Sequence, residues 1–361
     1  MKVVTITENF SRGHGIATSI SMLLRKIHES SPDIGLELIC NETDGIGEED
    51  FPSDIKLIVA NKPRIFGYNH PATIWLVKYA ENNPDTIIHG HNAIATWPLL
   101  FKKAKKLITW HGNNSPNWNS AEYGPLQKRL AIRLTLDLST HMFRSLDKIV
   151  AVSDYLRNEL INHYRIPSKK IERIYWGADA EKFSDSGEDQ RYMLFVGRHV
   201  RYKNIGVLVE LARCLNYPLI CVGDGPERAN LEEYAKKIGA PVKFKGKVPL
   251  QDLIRLYQNC SFYVTASKWE GFGLPPIEAG ACGKPAIVPH NSAHVESVRD
   301  SVTGVVYETF NELCIAAKKL IDEPGKRFEM GRAARAHIVK NFNLNDTVAA
   351  YVDVYRRLIS V

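Results

Sequence analysis

The sequence predicts two doubly wound α/β domains in series. Three observations point to this. Short β-branched runs alternate with amphipathic helical stretches from one end of the chain to the other. A polar, acidic stretch, SDSGEDQ (184–190), interrupts that alternation. The alternation then restarts at once with YMLFVG (192–197). Strands separated by helices imply a parallel sheet with helices on both faces, because parallel neighbours need a crossover connection. A length of 361 residues suits two domains of ordinary size.

In chain order, the strands expected in the first half are VVTIT (3–7), LELIC (36–40), IKLIV (55–59), TIIHG (86–90), KLITW (106–110) and KIVAV (148–152). Helical patterns lie between them at 16–29, 71–82 and 125–145. After the polar stretch, the strands YMLFVG (192–197), PLICVG (218–223), VKFKG (242–246), SFYVTAS (261–267) and PAIVP (285–289) alternate with helices. Those helices are expected at 203–215, 226–239, 250–259 and 275–283. The polar stretch has no apolar member and reads as the linker. The expected domains are therefore 1–186 and 187–344, facing a central cleft. Ligands of α/β sheets bind beyond the carboxyl ends of the strands, so residues just after each strand carry the functional information.

Composition narrows the function classes. The chain is 44% apolar and 24% charged, as for a soluble globular protein. No apolar run reaches the roughly 18–20 residues that span a bilayer. The first ten residues, MKVVTITENF, enter a strand pattern without the basic and apolar regions of a signal peptide, so a cytoplasmic location is expected. Six cysteines, none at C-x-x-C spacing, suggest neither a zinc site nor a disulfide framework. The formal net charge of +7 suits anionic partners. Basic residues interleaved with aromatics are missing, so nucleic acid is not an expected partner. One dense basic cluster, Lys102, Lys103, Lys105 and Lys106, reads as a solvated face or as a peripheral contact with an anionic membrane.

Chemistry concentrates at strand ends. In KWEGFGLPPIEAGACGKP (268–285), Glu270 follows a strand and Glu278 lies on the next helix. Gly271 and Gly273 flank Phe272 and let backbone approach a ligand, while a helix N-terminus supplies free N–H groups. Two carboxylates there suit hydroxyl-rich groups. In GRHVRYKN (197–204), Arg198 and Lys203 at a helix start form a candidate diphosphate site. Gly223-Asp224-Gly225-Pro226 reads as turn and packing chemistry. Arg12-Gly13-His14-Gly15 follows the first strand but lacks G-x-G-x-x-G, so a dinucleotide reading is weak. His89, His91 and His111 end strands beside glycines. Ser153 reads as a helix N-cap. No D-x-D pair for a metal-held diphosphate occurs, and Arg198 with Lys203 can neutralise that charge instead, so no metal or other cofactor is expected.

These residues resemble the retaining glycosyltransferases of family 4 (glycosyl transferases group 1), which have the GT-B fold. The resemblance rests on Gly13–Gly15, HGH (89–91), TWHG (109–112), VAVSDYL (150–156), IYWGADAEKF (174–183), GRHVRYKN, VGDGPE (222–227) and above all EGFGLPPIEAGACGKP (270–285), with its E-x7-E. It implies that Glu270 contacts donor-sugar hydroxyls, that Glu278 holds the ribose, and that Arg198 and Lys203 bind the diphosphate. Phe272, Gly273 and Leu274 would present backbone N–H groups, His111 would hydrogen-bond near the sugar, and Gly15 would approach the phosphate or the acceptor. It also implies that residues 345–361, with the stripe Val348, Tyr351, Val352, Tyr355 and Leu358, return to the first domain. His14 between Gly13 and Gly15 departs from the family's adjacent glycines.

The implied reaction moves a hexosyl unit from a UDP- or GDP-sugar to a glycan or lipid-linked hydroxyl acceptor, with retention and without metal. Two alternatives stand beside it: a nucleotide-sugar epimerase on the same fold, and a nucleotide-sugar-binding protein without catalysis. An epimerase would convert its substrate with no acceptor present.

Overall fold

A computed structural model describes residues 1–11, 15–44, 52–59, 79–91, 101–112 and 140–360. The chain divides into two compact units, Met1–Tyr175 with Val348–Val361, and Trp176–Thr347.

The first unit contains β1 (Lys2–Ser11), α1 (Gly15–Ser30), β2 (Gly35–Asp44), β3 (Lys56–Val59), β4 (Thr86–His91), β5 (Lys105–Trp110), β6 (Lys148–Ala151), α2 (Asp154–Asn162) and β7 (Ile171–Arg173). Among the described residues these strands form a seven-stranded sheet, β3-β2-β1-β4-β5-β6-β7. Every pair in it is parallel. Its central strands are near-continuous apolar runs, with Val3, Val4, Ile87, Ile88, Leu107 and Ile149 buried, as expected where helices cover both faces. Helix α1 buries Ala17, Ile20, Leu23, Leu24 and Ile27, one face of a 3.6-residue period. Helix α2 is capped by Ser153, whose Oγ accepts the Leu156 N–H at 3.1 Å.

The second unit contains β8 (Met193–Val196), α3 (Ile205–Leu215), β9 (Leu219–Val222), α4 (Arg228–Ile238), β10 (Val242–Gly246), α5 (Leu250–Asn259), β11 (Phe262–Val264), α6 (Leu274–Ala281), β12 (Ala286–Pro289), α7 (His294–Ser297), β13 (Gly304–Tyr307), α8 (Phe310–Asp322) and α9 (Pro324–Asn341). Its parallel sheet runs β10-β9-β8-β11-β12-β13. Phe195, Leu208, Leu211, Leu219, Phe262, Ile287 and Leu313 share one core. In each sheet the order reverses once, between β1 and β4 and between β8 and β11. Those reversals are the switch points where α/β sheets take ligands.

The division between units falls before the polar stretch expected to be the linker. Residues 184–190 lie inside the second unit: Asp189 is ion-paired with Arg327 and accepts the Ser261 hydroxyl at 2.6 Å. The chain enters that unit at Gly177, where any side chain would collide with the Asn343 backbone at 2.2 Å. A run without apolar side chains reads as solvated, but its carboxylate serves a buried arginine. The last helix, α10 (Leu344–Ile359), ends in the first unit. Val348, Tyr351, Val352, Val354 and Tyr355 are buried in it, and Leu358 of the expected stripe is half-buried near the helix end.

Strands β7 and β13 and helices α8 and α9 extend the expected pattern. Of the helical stretch expected at 71–82, residues 79–82 are turn or irregular and the rest lies outside the described residues. Of 125–145, residues 140–145 are helical and the rest likewise lies outside.

Candidate functional site

In the second unit, β8 and β11 are parallel neighbours, with Phe262 opposite Met193. The loops that leave their carboxyl ends are joined: the Lys268 N–H donates to the Tyr202 carbonyl at 2.8 Å. Lys203 comes from the first loop and Glu270 from the second. Their side chains form a hydrogen-bonded ion pair with about 15% of each side chain exposed (14% and 16%).

Lys203 does not open a helix directly, as the sequence suggested. It ends a short 3-10 turn, Arg201–Lys203, and Asn204 in the left-handed region (φ 53°) separates that turn from α3. This local break turns Lys203 toward β11. Burial pushes the Lys203 ammonium down, but the Glu270 carboxylate outweighs it and holds it above the ordinary lysine value. Burial likewise pushes the Glu270 carboxyl up, while Lys203, His294 and a Ser267 hydrogen bond hold it below the usual carboxylate range. Both groups are therefore charged at neutral pH. Arg198 is exposed, yet its charge is felt by Lys203, so the two cations serve one region.

Beneath this loop lies the second expected turn. Gly223 has φ +117°, and a Cβ there would meet the Gly197 carbonyl at 2.0 Å, so only glycine lets the turn pack on the cation loop. The His199 N–H donates to the Asp224 carbonyl at 2.9 Å, which fixes that packing.

The Glu270 backbone is clamped from the far side. Its N–H donates to Ser292 Oγ at 2.9 Å, and its carbonyl accepts the Ala293 N–H at 3.3 Å. Phe272 is buried against Phe342, ring centroids 5.9 Å apart. Gly273, at φ +93°, precedes α6. Pro275 and Pro276 in that helix's first turn have no N–H, so Gly273 and Leu274 supply the first-turn donors. Glu278 accepts the Tyr257 hydroxyl at 2.7 Å, and burial raises its carboxyl to about 7. Burial pushes the Tyr263 hydroxyl well above its ordinary value, and the nearby Glu270 and Glu278 carboxylates add to that.

Sequence reasoning did not single out His294. It opens α7, is 1% exposed, and neither ring nitrogen has a hydrogen-bond partner among the described residues. Burial pushes its imidazole down to about 4. Its place in the loop after β12 is legible in the sequence, but its burial and its nearness to Gly273 are not.

In the first unit, the expected histidines gather at the ends of β4 and β5. His89 Nδ1 lies 2.7 Å from the Tyr355 hydroxyl, and His89 Nε2 lies 2.8 Å from Thr109 Oγ1. Thr109 Oγ1 in turn lies 2.9 Å from the Tyr351 hydroxyl. His91 Nδ1 lies 3.0 Å from His111 Nε2. His111 is partly buried, and His89 is spent on holding α10. Gly15 begins α1, is exposed, and a Cβ there would meet nothing within 4 Å. Arg12, Gly13 and His14 lie outside the described residues. Lys102 and Lys103 are exposed, while Lys105 and Lys106 in β5 are half-buried, so the basic cluster is not one uniform solvated face.

Two parallel α/β units of this topology define the GT-B class. The chain is similar to sucrose-phosphate synthase from Thermosynechococcus elongatus, with TM-score 0.82, 18% identity and 99% of each chain covered. It is also similar to Anabaena HepE, solved in complex with UDP and glucose, with TM-score 0.79, 17% identity, 99% of this chain and 100% of that one. The family model of Glycosyltransferase Family 4 matches residues 14–182, and that of Glycosyl transferases group 1 matches residues 178–337. The chain belongs to the group 1 glycosyl transferases. D-rhamnosyltransferase WbpZ of Pseudomonas aeruginosa is 27% identical over 243 residues, which are 62% of this chain and 63% of that protein. The chain spans about 60% of the length of the curated relatives it matches.

Proposed function

We propose that the protein transfers a hexosyl unit from a nucleoside diphosphate sugar to a hydroxyl acceptor, with retention at the anomeric carbon and without a metal ion. The observation that carries this reading is the Lys203–Glu270 ion pair at the switch point of the second sheet. A diphosphate arriving there competes with Glu270 for the Lys203 ammonium. The exchange frees the Glu270 carboxylate to accept hydrogen bonds from hydroxyls of the sugar. Arg198 lies within the same field and adds a second positive charge.

As the bond from the anomeric carbon to the diphosphate breaks, negative charge grows on the leaving oxygen, the acceptor oxygen bonds to the anomeric carbon on the same face, and the acceptor proton passes to the leaving diphosphate. Lys203, Arg198 and the Gly273 and Leu274 N–H groups stabilise that charge. Fixed donors in a partly dry site contribute on the order of 3–4 kcal/mol each to such a step. Glu278 takes the ribose hydroxyls. A neutralising pair of cations makes a divalent ion unnecessary for the diphosphate, which supports the metal-independent reading.

The half-buried and exposed lysines at 102–106 favour an acceptor that is anionic or carried at a membrane face, and hence a glycan or lipid-linked acceptor met at the cytoplasmic side. The epimerase and binding-only alternatives lack a specific observation in their favour.

A thermal-shift panel of nucleotide sugars tests the reading. HepE was solved with UDP, so uridine nucleotides head the panel, followed by guanosine nucleotides. A true donor at about a hundred times its Kd stabilises the folded protein by about 2.7 kcal/mol. A panel in which no nucleotide sugar raises Tm would sink the proposal. Product formed only when an acceptor is added separates a transferase from an epimerase.

A further inference from the structure

We propose that His294 recognises the donor sugar, its imidazole hydrogen-bonding hydroxyls of the sugar held at Glu270. This inference rests on the donor-site reading above and extends it to a residue that reading does not use.

A buried polar group without a partner is uncommon and calls for an explanation. His294 is 1% exposed, and among the described residues neither of its ring nitrogens has a hydrogen-bond partner. Among the other buried histidines, His91 has one nitrogen engaged by His111 and the other without a partner among the described residues. Both nitrogens of His89 are engaged, by Tyr355 and Thr109. His199 is also unpartnered, but it is boxed by the Phe195 and Phe244 rings, with centroids 6.3 and 5.7 Å away. No such aromatic pair boxes His294 among the described ring contacts; it lies beside the Gly273 turn that follows Glu270.

Its direction is set by Gly273. The point where a side chain on Gly273 would begin lies 3.5 Å from His294 Nδ1 and 3.8 Å from Cε1. Because Gly273 carries no side chain, that edge of the imidazole looks onto the turn that leads into α6. Gly273 is itself half-buried, so this turn lies between the ring and the surface.

His294 is also mechanically tied to Glu270. Ser292, held in the left-handed region at φ 48°, accepts the Glu270 N–H, and the Ala293 N–H donates to the Glu270 carbonyl. The backbone that carries His294 is thereby held to the backbone that carries Glu270. A neutral imidazole offers one donor and one acceptor. Glu270 offers acceptors only. The two together discriminate hydroxyl patterns that neither could alone, because a sugar lacking a matching hydroxyl leaves the ring unpaired as before.

The test compares bare nucleoside diphosphate with the nucleoside diphosphate sugar that most raises Tm, by calorimetric titration of wild type, His294→Leu and His294→Gln. His294→Leu should keep its affinity for the bare nucleotide within about twofold and lose about tenfold for the sugar nucleotide. His294→Gln, which keeps a donor and an acceptor, should recover part of that loss. The wild-type His294 ring signals in NMR should shift with the sugar nucleotide and much less with the bare nucleotide, a readout that needs no variant to fold.

Equal weakening for both ligands would assign His294 a structural role only and overturn the inference. So would unchanged discrimination in both variants, or ring signals indifferent to the sugar. Wild-type protein that binds neither ligand would overturn the donor-site reading itself, and this inference with it.

Discussion

Lys203 and Glu270 come from loops after adjacent strands, β8 and β11, and meet as a hydrogen-bonded ion pair with 14% and 16% of their side chains exposed. The sequence separates them by more than sixty positions. Their union at a switch point turns two isolated motifs into one site.

Replacing Lys203 tests that union. Lys203→Ala should lower kcat by about a hundredfold or more if the ammonium stabilises the leaving diphosphate. It also leaves Glu270 in a part-buried place without its cation, so Tm should fall as well. Lys203→Ala, Glu270→Gln should recover Tm without recovering turnover. Steady-state kinetics beside melting curves separate the two effects, and near-normal turnover in the single variant would retire the assignment.

Glu278 predicts a pH dependence of donor binding. Burial raises its carboxyl to about 7, and in the proposed role it must be ionised to accept from the ribose hydroxyls. Affinity should therefore rise with pH, by about tenfold between pH 6 and pH 8, as the ionised fraction grows. Glu278→Gln should bind weakly at both values and lose the slope. A wild-type Kd that is flat across this range would contradict the role given to Glu278.

His89 predicts acid sensitivity in the first unit. Burial lowers its imidazole to about 3, against 6.5 for the ordinary group, so the fold holds it neutral. Between those values the unfolded chain binds the extra proton. Stability contributed by neutral His89 is thus present above pH 6.5 and is lost as pH falls toward 3. Wild type should lose Tm between pH 6.5 and 5, and His89→Gln should lose less over the same range. Tyr355→Phe, which removes one partner of His89, should cost about 1 kcal/mol at pH 7.

The polar stretch predicts a large stability effect where sequence alone predicts none. Arg327 and Asp189 have 7% and 10% of their side chains exposed. Arg327→Met should cost about 3–5 kcal/mol, because it strands a buried carboxylate. Arg327→Met, Asp189→Asn should restore much of that in urea unfolding. A cost within the range of surface substitutions, about 0.5 kcal/mol, would show that the pair is dispensable.

The proposed metal independence predicts unchanged turnover in excess EDTA. Activity abolished by chelator and restored by Mn²⁺ or Mg²⁺ would mean that Arg198 and Lys203 do not neutralise the diphosphate alone.

Particular residues show how far reading the chain can reach. The strand VKFKG and the helix after it fall where their patterns place them, because periodicity is local. The Ser153 cap is also local, a hydroxyl reaching a backbone N–H three residues on. Glu270 and Lys203 stood out because each follows a strand, and strand ends are legible. His294 did not stand out, because its burial, its unpaired nitrogens and its nearness to Gly273 depend on a loop folding back on Glu270.

The sequence by itself determined the two α/β units, their strand order of appearance, and the residue types that suit a sugar and a diphosphate. Alternation, glycine turns and charge are properties of short segments, so they survive without coordinates. Only the tertiary structure decided which charges pair, that Asp189 in a polar run serves a buried arginine, and that Tyr351 and Tyr355 spend their hydroxyls on Thr109 and His89. The physical reason is that burial and pairing are set by neighbours far apart in the chain, and those neighbours meet only when the sheets form.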